Sequence, residues 1–308
     1  MAAYIYLKSV GKKNKDRAII ADLDLGLEKG SRIAIVGSNN SGKTMLLKIL
    51  AGIIKADFGT IFIDGKEFSP DDSQTRRKIC YIPEYIDFDK NLSVFENLLI
   101  YMKLYTNITH NDIRNTIFHW ADIFNFMDLL ETSISDIQIS RLKMIHLSRA
   151  FLHNPEILIL DQPTKELDLE NQILFWGKIG TVLRNTTIIY SSHNFNEIEE
   201  HSNRVAFLDN GKIRLNGSIE EIMNQTKTYS YYKIMFKDLV NDTFKEKLKE
   251  NSYCYHLNIG SKEVEFYSPD KESSISLIQT AFNYNVKDFI ERPFSFKDIF
   301  LTQIKKTK

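Results

Sequence analysis

The chain has 308 residues, enough for two domains, and its 40 Lys and Arg residues balance its 40 Asp and Glu residues. A neutral chain has no general attraction for DNA, RNA or anionic lipid, so we expect no nucleic-acid partner. Cys80 and Cys254 fit neither a disulfide framework nor a metal-ligand spacing, which favours a reduced, cytosolic compartment. We expect no signal peptide and, since no run of about 18 apolar residues occurs, no membrane span.

The first 65 residues predict mainly strands. Apolar runs at Tyr4–Leu7 and Leu23–Leu27, separated by the basic polar segment Lys12–Arg17, predict strands of a small antiparallel sheet. Arg32–Val36 has the composition of a buried strand, and Gly59–Gly65 predicts a strand that ends in an Asp-Gly turn.

A phosphate-loop pattern, G-x-x-x-x-G-K-[ST], follows the buried strand and precedes an apolar helical segment. It consists of Gly37, Ser38, Asn39, Asn40, Ser41, Gly42, Lys43 and Thr44. A loop in this position directs backbone N–H groups and the positive end of the helix dipole at a polyphosphate. We expect Lys43 to reach the β- and γ-phosphates and the Thr44 hydroxyl to ligate Mg²⁺. The pattern therefore predicts binding of a nucleoside triphosphate with Mg²⁺.

Residues 92–130 predict helices, and the segment from 141 to 193 predicts alternating helices and strands. Ser93 and Glu96 form a capping box, and the next helix carries an apolar stripe that we assign to the core. The apolar runs Ile157–Leu160 and Thr187–Tyr190 predict strands of a parallel sheet, whose ligands bind at the carboxyl ends of the strands.

A second domain is predicted after about residue 225. Strands and helices follow in the order β-α-β-β-α-β, with strands at Tyr229–Phe236, Tyr253–Asn258, Glu263–Tyr267 and Val286–Glu291. We expect residues 1–225 to form the nucleotide-binding domain, with a helical subdomain at about 90–140. Residues 226–308 would form a small α+β domain of ferredoxin-like topology.

Two polar residues follow core strands and are candidates for the same site. Asp161 comes directly after Ile157–Leu160, where a carboxylate could hold Mg²⁺ through water beside the phosphate loop. His193 follows the strand that ends at Tyr190, where an imidazole could sense a γ-phosphate. Their position at strand ends favours function over a capping or core role.

With these residues in place, the sequence resembles the ATP-binding subunits of ABC transporters over about residues 1–225. The segments that carry the resemblance are Gly37–Thr44 (Walker A), Tyr81–Glu84 (Q-loop), His153–Thr164 (Walker B), Glu166–Asp168 (D-loop), Ser191–His193 (switch histidine) and Asp209–Lys212. The implied fold is an α/β P-loop ATPase core, with a parallel sheet, a small antiparallel sheet and a helical subdomain, plus the α+β appendage.

The resemblance also implies how such a subunit works. ATP and Mg²⁺ would bind between Walker A of one subunit and the signature helix of a second ATP-binding subunit, beneath a separate membrane permease at the cytoplasmic face of the membrane. Glu84 would contact the nucleotide and Mg²⁺, and the region around it, with residues 92–130, would face the permease. The tail Arg292–Leu301 resembles the bacitracin- and lantibiotic-resistance exporters, in which Glu often replaces Gln at the position of Glu84.

Several positions depart from the family pattern. Gln162 stands where the family has a Glu that polarises the attacking water, and losing a general base costs about 10²–10⁴-fold in rate. The signature Leu-Ser-Gly-Gly-Gln aligns without gaps with Ile137–Arg141, or after a three-residue shift with Ile134–Gln138, and neither alignment keeps a glycine. Asn40 replaces a Walker A glycine, and Lys12–Arg17 offers no aromatic ring for adenine. Nucleotide binding is therefore expected to persist while hydrolysis is impaired.

The sequence allows more than one origin for Gln162 and more than one function for the chain. Gln162 is either natural or a deliberate substitution, because Glu-to-Gln at this position is a standard way of trapping the ATP-bound dimer. The favoured function is the ATP-binding subunit of an exporter of a hydrophobic or peptide substrate, as a homodimer or paired with a more intact paralogue. A non-hydrolytic, ATP-sensing regulatory or scaffold subunit is the alternative. A nucleic-acid-bound ATPase of this family is disfavoured by the single cassette and the neutral charge.

Overall fold

A computed structural model describes residues 3–15, 17–224, 229–252, 254–269 and 271–305. The chain divides into two compact units, Met1–Asn216 and Gly217–Lys308. The boundary expected between residues 225 and 226 lies outside the described residues.

An antiparallel sheet opens the first unit, with strand order β2-β1-β4-β5. Its strands are β1 (Ile5–Asn14), β2 (Arg17–Leu27), β4 (Phe58–Ile63) and β5 (Lys66–Glu67). Strands β1 and β2 pair antiparallel, which confirms the predicted small antiparallel sheet, but both are longer than the apolar runs. Strand β1 extends to Asn14 and β2 begins at Arg17, inside the segment expected to separate them. The Lys12 ammonium of β1 lies 2.6 Å from a carboxylate oxygen of Asp57, the residue before β4.

A six-stranded sheet forms the centre of the first unit, in the order β10-β9-β3-β8-β7-β6. The strands are β3 (Arg32–Val36), β6 (Ile79–Ile82), β7 (Ile157–Asp161), β8 (Thr187–Ser191), β9 (Arg204–Asp209) and β10 (Lys212–Ser218). Strands β9, β3, β8, β7 and β6 pair in parallel, which confirms the predicted parallel sheet. Their carboxyl ends therefore meet at one edge.

Helices surround this sheet. They are α1 (Lys43–Leu50), α2 (Ser73–Arg76), α3 (Val94–Tyr105), α4 (His110–Ile123), α5 (Ile139–Leu152), α6 (Leu169–Val182) and α7 (Phe195–His201). Both hydrogen bonds of the Ser93–Glu96 capping box form at the start of α3. Ile113, Ile117 and Trp120 of α4 are buried, as expected for a core stripe. Helix α1 packs against β7 and β8, which places the start of α1 beside the ends of both strands.

The second unit holds a four-stranded antiparallel sheet, β11 (Ser230–Phe236), β12 (Tyr255–Ile259), β13 (Glu263–Ser268) and β14 (Val286–Pro293), in the order β12-β13-β11-β14. Its helices are α8 (Ile219–Asn224), α9 (Asp242–Glu250), α10 (Lys271–Ala281) and α11 (Phe296–Lys305). The order of β11–β14 and the two helices between them matches the predicted β-α-β-β-α-β topology. Tyr253, the predicted start of the second strand, lies outside the described residues.

Helix α11 was not predicted. A buried carboxylate, Asp298, holds its first turn, because Asp298 accepts hydrogen bonds from Arg292, from Ser295 and from the hydroxyl of Tyr267. Within the described part of the chain, no helix is long and apolar enough to cross a membrane.

Candidate functional site

The phosphate-loop residues connect β3 to α1, and the loop can close only with glycine at two positions. A Cβ on Gly37 would lie 2.1 Å from the Leu208 carbonyl oxygen, and one on Gly42 would lie 2.9 Å from that of Ile19. Gly42 also has a φ of 106°, and Asn40 has a φ of 63°, which Asn tolerates better than most residues. No described side chain caps the start of α1, so its first N–H groups are available to an anion.

Lys43 lies folded over this loop. Its ammonium donates to the carbonyl oxygens of Gly37, at 2.9 Å, and Ser38, at 2.8 Å. Burial lowers the pKa of Lys43, while the nearby carboxylates of Asp161 and Glu84 act in the opposite direction. A phosphate above the loop would give this buried cation a partner of full opposite charge, which the two neutral carbonyl groups do not supply.

The loop forms one side of a cleft of about 1300 Å³ in the first unit. Four cationic side chains line the cleft, together with one carboxylate among the described lining residues, that of Glu84. The cations are Arg17, Lys43, Lys48 and Lys165; Gln162, His193 and Asn39 to Thr44 complete most of the lining. A basic cleft at the carboxyl edge of a parallel sheet suits a polyphosphate ligand.

Asp161 is the last residue of β7 and is buried, with its Oδ1 atom accepting a 2.6 Å hydrogen bond from the Ser191 hydroxyl. An ionised carboxylate has further acceptor sites. The described residues contain no cluster of three or more acidic, His or Cys side chains able to hold a metal. The Asp161 carboxylate and the Thr44 hydroxyl are oxygen donors of the kind that Mg²⁺ takes, with phosphate and water as its other ligands.

Glu84 and Gln162 contact each other. They follow β6 and β7, which pair in parallel up to Ile82 and Leu160, so both residues reach the same edge of the sheet. The Gln162 side-chain amide donates to Glu84 Oε2 at 3.0 Å, and the Lys165 ammonium lies 2.5 Å from Glu84 Oε1. Both carboxylate oxygens of Glu84 thus have a partner.

The backbone of Gln162 is held in an unusual conformation. Its φ is 47°, in the left-handed region, and its N–H donates to the hydroxyl and the carbonyl oxygen of Ser191. Those bonds hold the turn after β7 against the end of β8, and the side-chain amide is held separately by its bond to Glu84.

His193 follows β8 and has an exposed side chain in the cleft lining. Its partial burial, and then the positive charge of Lys43, lower its pKa below the ordinary value of 6.5. The ring is therefore neutral at pH 7, with one nitrogen able to donate a hydrogen bond and the other able to accept one.

Three basic side chains of α5, spaced by three residues, bind the segment from Pro83 to Asp87. Lys143 donates to the Glu84 carbonyl oxygen at 2.8 Å, and the Arg149 guanidinium lies 2.8 Å from Asp87. His146 is fully buried, and burial lowers its pKa well below 6.5, so it is neutral. Since its Nδ1 atom accepts from Arg149, its Nε2–H donates to the Pro83 carbonyl oxygen at 3.0 Å.

Glu197 joins the loops that carry Gln162 and His193. This buried carboxylate accepts hydrogen bonds from Thr164, at 2.5 Å, from the Trp176 indole, at 2.9 Å, and from Ser192. Thr164 lies two residues after Gln162, and Ser192 lies directly before His193. One side chain thus fixes both loops.

The two alignments of the signature segment correspond to different secondary structure. Ile137–Arg141 contains the N-cap residue of α5, Gln138, followed by the first helical residues. Ile134–Gln138 begins as a short 3-10 turn that ends before α5. Helix α5 begins at Ile139, inside the ungapped alignment and directly after the shifted one.

The structure brings the predicted site residues to one edge of the sheet: the phosphate loop, Glu84, Gln162 and His193 line the cleft, and Asp161 lies buried next to Gln162. Three parts of the site were not predicted: Lys165, Glu197 and the basic side chains of α5. The regular spacing of Lys143, His146 and Arg149 was the available signal, since it places three polar groups on neighbouring turns of a helix.

The fold places a phosphate-loop pattern and a basic cleft at the carboxyl edge of a parallel sheet, the arrangement of P-loop nucleotide-binding domains. The sequence profile of the ABC transporter family matches residues 20–165. The matched segment includes the phosphate loop, Glu84, Asp161 and Gln162. Among solved structures, an ATP-binding subunit of an ABC transporter is 20% identical, with a TM-score of 0.67, over 72% of this chain and 92% of that chain. At this identity the likeness shows the fold.

Curated relatives include transport proteins of both directions. The Nod factor export ATP-binding protein I of Burkholderia lata is 24% identical over 305 residues, 97% of this chain and 96% of that protein. The molybdate/tungstate import ATP-binding protein of Thermococcus kodakarensis is 27% identical over 229 residues, 72% of this chain and 67% of that protein.

Proposed function

We propose that this chain is the ATP-binding subunit of an ABC transporter and drives export through a separate membrane permease. The observation that carries the proposal is the basic cleft of about 1300 Å³, in which an uncapped helix start and Lys43 face the space a polyphosphate would fill. The export direction is supported by a similarity to an export ATP-binding protein that extends over 97% of the chain, including the second unit.

ATP would bind with its phosphates on the residues Gly37 to Thr44. Mg²⁺ would be held by the Thr44 hydroxyl and the Asp161 carboxylate, where it would neutralise charge on the phosphates. The expectation that Glu84 also ligates Mg²⁺ stays a prediction. Since both carboxylate oxygens of Glu84 have partners, that role would require Glu84 to share or release the Gln162 amide or the Lys165 ammonium.

Hydrolysis by this chain would be slow, because Gln162 can orient water but cannot accept its proton. A second ATP-binding subunit would complete the site, either an identical chain or a paralogue that keeps the signature glycines and the Walker B Glu. The substrate would be a hydrophobic or peptide compound such as an antimicrobial, and the chain would lie at the cytoplasmic face of the membrane. The likeness of Arg292–Leu301 to antibiotic-resistance exporters supports this class of substrate.

The alternative, a non-hydrolytic ATP-sensing subunit, is favoured by Gln162 itself. Affinity purification of the full chain from membranes of its source cells separates the two proposals. A transporter subunit is expected to carry along a polytopic membrane protein in a fixed ratio, and a soluble partner in its place would favour the sensing role. Loss of mant-ATP binding in Lys43→Ala, and its retention in a Lys55→Ala control, would support the nucleotide site.

A further inference from the structure

We propose that Glu84 provides the carboxylate that activates water for ATP hydrolysis in this chain, with the Gln162 amide as its orienting partner. The proposal rests on the ATP-binding function inferred above. Glu84 is the single carboxylate among the described residues that line the cleft, whereas Asp161 is buried at the end of β7 and bound to Ser191.

The geometry couples the two side chains. The Gln162 Nε2 atom lies 3.0 Å from Glu84 Oε2, so a water bound to the Gln162 amide lies within reach of the Glu84 carboxylate. Glu84 is partly exposed, with 34% of its side chain accessible, so solvent can approach it. An ionised carboxylate has about four acceptor sites, and the bonds from Gln162 and Lys165 use two of them, which leaves acceptor capacity for water.

Both groups are fixed from outside the cleft. Lys143 binds the Glu84 carbonyl oxygen, and the backbone of Gln162 is anchored on Ser191. A general base needs this kind of support, because proton transfer depends on placement within hydrogen-bond distance.

In the reaction, the oxygen of water forms a bond to the γ-phosphorus of ATP while one water proton moves to the Glu84 carboxylate. The bond between the γ-phosphorus and the bridging oxygen breaks, and ADP leaves with the electron pair. Glu84 then returns the proton to phosphate or solvent. His193, neutral at pH 7 and in the same cleft, is the competing base.

The test compares ATP hydrolysis and mant-ATP binding for the full chain in Mg²⁺ buffer, in the native sequence, Glu84→Gln, Glu84→Gln/Gln162→Glu and His193→Ala. Lys43→Ala defines the background rate. Glu131→Gln is the matched control, since it removes the same charge from an exposed position outside the cleft lining.

We expect Glu84→Gln to lower kcat about 10²-fold, or to background, with mant-ATP affinity changed less than threefold. In the double variant the carboxylate is at position 162 and the amide at position 84. This exchange should recover at least the native rate. Glu131→Gln should leave kcat unchanged. Loss of activity in Glu84→Gln without recovery in the double variant would indicate a purely structural role and overturn the proposal.

Three further results would overturn it: a native kcat no higher than that of Lys43→Ala despite normal mant-ATP binding, a Glu84→Gln kcat within twofold of native, or a loss confined to His193→Ala. A native chain that fails to bind mant-ATP would instead refute the ATP-binding function. The two failures are therefore distinguishable.

Discussion

Replacing Glu197 by Gln should destabilise the first unit by about 3 kcal/mol. The carboxylate accepts from three buried donors, those of Thr164, Trp176 and Ser192. A Gln carbonyl oxygen can accept from two of them, so one buried donor loses its partner, at a cost of about 1–3 kcal/mol. The other two bonds lose their charge assistance, at about 1 kcal/mol each, and shared relaxation keeps the total below the sum.

Urea unfolding followed by tryptophan fluorescence measures this effect, since Trp176 lies in the cluster and is one of two tryptophans in the chain. With a slope of about 2–3 kcal/mol/M, the midpoint should fall by about 1–1.5 M. Glu199→Gln, an exposed change on the same helix, should shift the free energy of unfolding by less than about 0.5 kcal/mol. A loss below about 1 kcal/mol in Glu197→Gln would refute the reasoning.

Three further predictions concern other parts of the chain. Lys43→Ala should weaken mant-ATP binding at least about 10²-fold, since the proposed charge-assisted contact to phosphate would be lost. Unchanged affinity would contradict the assignment of Lys43 to the nucleotide site. Burial lowers the pKa of His153 from 6.5 to about 4, so the unfolded chain binds a proton between these values that the folded chain does not. The free energy of unfolding should therefore fall as pH decreases from 6.5 towards 4, and this residue contributes up to about 1.4 kcal/mol per pH unit. The urea midpoint of His153→Gln should depend less on pH than that of the native chain. Asp298→Asn should destabilise the second unit by about 1–3 kcal/mol, because the buried carboxylate loses its charge and one of the two oxygens that accept from Tyr267, Ser295 and Arg292. Calorimetry of the full chain should show one transition shifted, and Lys297→Gln should not shift it.

The phosphate loop was predictable from sequence because its requirements are local. Gly37, Gly42 and Lys43 lie within seven positions of one another, and the strand and helix that flank them have clear apolar patterns. The parallel sheet was predictable for the same reason, since each strand is a short apolar run, and strand order then places Asp161, Gln162 and Glu84 at one edge.

The contacts that orient these residues were not predictable. Lys165 meets Glu84 across 81 positions, and Glu197 meets Thr164 across 33, so neither pair leaves a local pattern. The long β1–β2 hairpin was missed for a related reason. The residues near its tip are polar, and the two strands pair there through backbone hydrogen bonds, which alternating hydrophobicity does not reveal.

Helix α5 links the two ends of this site. Its first residues belong to the ungapped signature alignment, and further along it Lys143, His146 and Arg149 hold the segment from Pro83 to Asp87. A helix is stiff along its axis, so a displacement at Ile139 is carried to Lys143, one turn away, and through the 2.8 Å bond to the backbone of Glu84. Gln162, in contrast, is fixed to Ser191 on the central sheet. Glu84 also follows a strand of that sheet, but its backbone is held by α5 as well. Movement of α5 relative to the sheet would therefore change the 3.0 Å contact between Gln162 and Glu84.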